Sequence, residues 1–157
     1  MAGEQLKKAR AARVGGRFEE AIAAYQAVLL EANDDLVAIA ELAELLATLG
    51  RLAEAAVCLN HLLELDPNRT EAWLNLGEVR RGQDRLAEAQ RCFERSLALE
   101  PENPVGHFQL AGLALAAGRL GEAVDRYERS IAAAPELAEA HFNLAVALTG
   151  LGRAGEA

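Results

Sequence analysis

Between Thr70 and Leu99 the apolar positions trace two helical stripes separated by a polar break. Trp73, Leu76, Gly77 and Val79 recur at the spacing that gathers side chains on one helical face. Thr70 and Glu71 suit the start of that helix, which the pattern carries to Gly82. Gln83, Asp84 and Arg85 interrupt it. A second stripe of Leu86, Ala89, Phe93, Ser96 and Leu97 then predicts a helix from about Leu86 to Leu99, with those residues buried. Pro101 stops it, since proline cannot continue a helix and biases Glu100 away from helical geometry. The segment reads as one helix–turn–helix hairpin.

The same pattern returns every 34 residues. Arg17, Arg51, Arg85, Arg119 and Arg153 align, as do Glu20, Glu54, Glu88, Glu122 and Glu156. Alanine follows each glutamate, at Ala21, Ala55, Ala89, Ala123 and Ala157, and Tyr25, Leu59, Phe93 and Tyr127 share the column four residues on. Gly16, Gly50, Gly118 and Gly152 precede the arginines, with Asp84 as the exception, tolerable because Asp visits the left-handed region. The predicted units are 2–35, 36–69, 70–103, 104–137 and an incomplete fifth, 138–157, within one solenoid domain. Small residues in fixed columns (Ala43, Gly77, Ala111 and Ala145; Ala21, Ala55, Ala89 and Ala123) leave room for close helix crossings. The recurring glutamates favour the helix dipole, and the arginines three residues earlier can pair with them.

Composition narrows the picture. A chain of 157 residues that is 52% hydrophobic but only 4% aromatic builds its core from Ala, Leu, Val and Ile. The net charge of −8 argues against nucleic-acid binding, which needs a basic face. Residues 34–66 carry seven acids against Arg51, while Lys7, Lys8, Arg10 and Arg13 crowd the first helix, so local pairing between the two is expected. Cys58 and Cys92 lie one period apart, on equivalent helices about 10 Å from each other. A disulfide prefers a Cα separation of about 5.5–6 Å, so both are read as free thiols of a reducing compartment. No leader or apolar run long enough to cross a membrane is evident, and a cytoplasmic location is expected. Fourteen of the sixteen basic residues are arginine, a bias in keeping with a bacterial source.

Trp73-x-x-Leu76-Gly77, then Ala89-x-x-x-Phe93, then Pro101 resembles the tetratricopeptide repeat, and the period agrees. The resemblance implies an all-α fold, a right-handed α-solenoid of stacked hairpins whose first helices line a concave, peptide-binding groove. Carried over by column, the groove is lined by Asn75, Gln109 and Asn143, with Lys7 and Glu41 in the same column. Leu74, Phe108 and Phe142 adjoin them, followed by Glu78 and Val146, then Arg81 and Leu115. Asn75, Gln109 and Asn143 resemble the asparagine ladder in the superhelix of O-linked N-acetylglucosamine transferases, where amides hold an extended peptide backbone. Phe108, Leu115, Phe142 and Val146 offer an apolar strip beside them, or are partly buried between repeats.

No nucleophile–base pair, phosphate loop or metal-ligand spacing is found, so no enzyme, cofactor or metal is expected. His107 and His141 share the packing column of Ile39 and Trp73. The helix expected over 138–151 leaves Leu144, Leu148 and Leu151 without a following helix to cover them, which suggests a fragment or self-association through that end. The reading is a non-catalytic scaffold for a protein or peptide partner. Its alternatives are a substrate-presenting module of a larger bacterial glycosyltransferase or methyltransferase, and a self-assembling scaffold.

Overall fold

The computed structural model describes residues 2–152, which form nine α-helices and, among the described residues, no strand. The helices are α1 (Ala2–Val14), α2 (Phe18–Glu31), α3 (Leu36–Thr48), α4 (Leu52–Leu65), α5 (Thr70–Gly82), α6 (Leu86–Leu99), α7 (Pro104–Ala116), α8 (Leu120–Ala133) and α9 (Ala138–Gly150). They fall into two compact units, Met1–Asp84 and Arg85–Ala157. The bounds of α5 and α6 coincide with the two predicted stripes.

Each tight turn within a hairpin uses one left-handed residue. Gly16, Gly50, Gly118 and Gly152 have φ of 71–73°, and Asp84 has 60°. Behind each turn an arginine caps the next helix through its backbone and pairs with the glutamate three residues on: Arg17 with Glu20, Arg51 with Glu54, Arg85 with Glu88 and Arg119 with Glu122. Such exposed pairs are screened by solvent and add little to stability. Arg153 and Glu156 lie outside the described residues.

The joints between hairpins are held differently. Trp73 Nε1 donates to the Pro67 carbonyl at 2.9 Å. His107 and His141 each place Nε2 2.8 Å from the carbonyls of Pro101 and Pro135, which accept only if Nε2 carries the proton. His107 is buried and its Nδ1 has no partner, whereas His141 is exposed. Asp35 and Asn103 cap α3 and α7 through two backbone amides each.

In the first unit Tyr25, Val28, Ile39, Leu45, Leu59 and Leu62 are buried, with Ala21 and Ala55 at the close crossings. In the second, Ala111, Ala123, Val124, Tyr127, Ala140, Ala147 and Leu148 make one core cluster. Two expectations are corrected. Leu86 is 47% exposed, because it opens α6 at the end of the buried stripe rather than within it. Leu148 is 5% exposed and Leu144 half-buried, since both pack into the cluster made with α7 and α8; only Leu151 stays open. Neither Cys58 nor Cys92 is in a disulfide, and burial pushes the Cys58 thiol up.

Candidate functional site

In the first unit, α1 and α3 flank α2. Tyr25 on α2 is wholly buried, and its hydroxyl donates to Glu41 Oε2 at 3.0 Å. Arg10 closes on the same carboxylate with Nε at 2.9 Å from Oε2 and Nη2 at 2.6 Å from Oε1. Arg13 pairs with Glu44, Nη2 to Oε1, at 2.9 Å. The Arg10 hydrogen bond, helped by Tyr25 and opposed by burial, holds the Glu41 carboxyl below the usual range. Burial and then Glu41 push the Tyr25 phenol up. Arg10 and Arg13 of α1 are thus spent on the acids of α3, as the charge pattern suggested.

One hairpin further along, α3 and α5 flank α4, and the arrangement is open. A cleft of about 360 Å³ is lined by Ala43, Glu44, Ala47, Thr48, Leu52, Leu59, Asn75, Glu78, Val79, Arg81 and Gly82. Its floor is the buried set Leu59, Val79 and Ala43; its rim is the exposed Glu44, Thr48, Asn75 and Arg81. Glu78 gives Oε2 to Arg81 Nη2 at 2.6 Å, while its Oε1 is buried without a hydrogen-bond partner.

In the second unit, α7 and α9 flank α8. Tyr127 is 1% exposed and meets Phe108 edge-on, ring centroids 5.8 Å apart at 64°. Burial pushes its phenol up, and a hydrogen bond from Asn143 pulls it back. Phe108 and Leu115 are partly buried against the core cluster. Phe142 is 70% exposed and Val146 44%.

The predicted groove residues therefore occupy different environments. Asn75 and Arg81 are exposed, Gln109 and Glu78 half-buried, and Leu74 is buried in the first unit. Asn143 is half-buried near Tyr127 and Asn75 is exposed, so the three amides are not equivalent. Sequence reasoning placed Ala47 in a groove column but missed Ala43, Leu52, Leu59 and Val79 as cleft residues. The signal was present: Leu59 is the non-aromatic member of its column, and Ala47 is small where Arg13, Arg81 and Leu115 are large. Among the described residues no group of three His, Cys, Asp or Glu is placed to hold a metal ion. None of their helices is long and apolar enough to cross a membrane.

These features define an all-α solenoid of helix–turn–helix repeats. Tetratricopeptide repeat models match residues 15–78, 68–136 and 138–157, and the chain belongs to that family. Comparison with curated protein sequences gives no match. Among solved structures, a MamA protein superposes with a TM-score of 0.89 at 23% identity, covering 99% of this chain and 85% of that one. A MamA fragment from Desulfovibrio magneticus gives 0.88 at 18% identity, covering 99% and 88%. A tetratricopeptide repeat protein from Parabacteroides merdae gives 0.85 at 19%, covering 99% and 60%. At these identities the likeness is one of fold.

Proposed function

We propose that the chain is a non-catalytic scaffold that holds a peptide or partner protein on the first-helix faces of its two units. Family membership supports a protein-interaction scaffold in general. The observation that carries the finer reading is that Phe142, 70% exposed, shares a surface recess with the Asn143 amide on α9, while Asn75 stands exposed on α5 in the first unit. An apolar anchor beside a group that both donates and accepts suits an extended backbone carrying hydrophobic side chains.

A pull-down with the chain, repeated with Asn75→Ala/Phe142→Ala, tests this reading. Bound partners should fall away while far-ultraviolet circular dichroism stays unchanged. Undiminished capture by the folded double variant would refute it. Exposed Phe142, Val146 and Leu151 on and beside α9 also favour a second reading, contact between copies of the chain. A mass that rises with concentration in light scattering, and falls back in Phe142→Ala, would mark that instead.

A further inference from the structure

The column that holds Tyr25, Phe93 and Tyr127, each at most 1% exposed, has Leu59 in its second copy. Where Tyr25 and Tyr127 carry rings up to the flanking first helices, Leu59 stops short, and Ala43 and Ala47 above it are too small to fill the difference. The result is a cleft at the small end of the roughly 300–1,000 Å³ typical of ligand pockets.

We propose that this cleft between α3 and α5 is an anchor pocket for one phenylalanine side chain of an extended peptide, whose backbone N–H is taken by Glu78 Oε1. This deepens the scaffold reading, on which it rests. The floor of Leu59, Val79 and Ala43 offers nothing for a hydroxyl, so phenylalanine fits better than tyrosine. Glu44 and Glu78 are each paired with an arginine, Arg13 and Arg81, so the rim does not call for a charged side chain. What it lacks is a single donor for the buried Glu78 Oε1, and a peptide amide beside the anchor supplies one. The exposed Phe142 of a second copy does not satisfy both demands, because it lies inside α9, where the backbone N–H is committed to the helix.

The test is a titration of N-acetyl-phenylalanine methylamide into methyl-labelled protein followed by NMR. Saturable shifts are expected at the methyls of Leu52, Leu59 and Val79. The alanine counterpart should bind about tenfold more weakly or worse, and so should the phenylalanine probe with its own amide nitrogen methylated. Leu59→Phe, which installs the residue native to Phe93's position, should fill the pocket from below and abolish the shifts. Ala47→Leu, which borrows the side chain that Leu115 places in the same column, closes it from above and serves if Leu59→Phe does not fold. Equal response to the alanine probe, shifts scattered away from the cleft, or shifts that persist in the folded variants would overturn the proposal. Random-sequence peptides selected by phage display separate the two readings. Peptides that bind the chain and lose nothing in either variant would sink the pocket and leave the scaffold standing. A saturable phenylalanine probe with no peptide selected would do the reverse.

Discussion

Asp84→Gly should stabilise the protein, and the size of the gain follows from one dihedral angle. Asp84 has φ of 60° where the four equivalent residues are glycines at 71–73°. An L residue in that region carries a strain of about 1–2 kcal/mol, with Asp at the low end. Glycine relieves it but frees the unfolded chain, which returns about 0.4–1 kcal/mol. The net gain is about 0.5 kcal/mol, or a rise of about 1–2 °C in the unfolding midpoint for a chain of this size. The reverse exchange, Gly118→Asp, should lower the midpoint by a similar amount. Steric conflict does not confuse that comparison, because a Cβ placed at Gly118 meets nothing within 4 Å. Thermal unfolding of both variants, followed by circular dichroism, measures the pair. A lowered midpoint for Asp84→Gly, or an unchanged one for Gly118→Asp, would show that the turn is not governed by backbone strain.

Three further outcomes are expected. Gly106→Ala should destabilise despite the helix propensity it adds: its Cβ would stand 2.8 Å from Leu97 Cδ2 and 3.0 Å from Ser96 Oγ, and overpacking of about 1–3 kcal/mol outweighs a gain near 1. Urea denaturation checks the sign. Glu41→Gln should matter most at neutral pH. The folded carboxyl lies below its ordinary value, so its contribution is complete above the unfolded pKa of about 4.3 and is lost as pH falls through the folded one. The gap between wild-type and variant midpoints should therefore close on acidification, and thermal scans from pH 7 downward read it. Tyr25→Phe should keep the buried ring but leave Glu41 to Arg10 alone, at a cost of about 1.5 kcal/mol in chemical denaturation.

The helix boundaries were legible because they are local. Pro101, the turn glycines and the apolar stripes each act within a few residues, and Asp84 took the left-handed angle its column required. The pairing of α1 with α3 was legible as well, since opposite charges 31 residues apart, one helical turn short of the period, meet when equivalent helices are neighbours. The separate environments of the amides were not. Asn143 differs from Asn75 because a tyrosine sits sixteen residues before it and a leucine sixteen before the other, the same relation that links Tyr25 to Glu41. That relation is set by one helix lying across two others, so a column read by itself does not show it. The cleft escaped notice for a related reason: a void is a property of the side chains around it, none of which marks it alone.

The ring-to-carbonyl bonds at the joints imply an order of mechanical failure. Trp73, His107 and His141 each clasp the loop before their own helix, whereas Ile39, in the same column, has no N–H to offer, and Asn33 replaces the proline there. The link between α2 and α3 relies instead on Asp35, which grips backbone amides of its own helix and spans no loop. Tyr25 and Arg10 on Glu41 and Arg13 on Glu44 also hold that link, so under tension it should yield sooner in high salt, where the clasped joints keep their ring-to-carbonyl bonds.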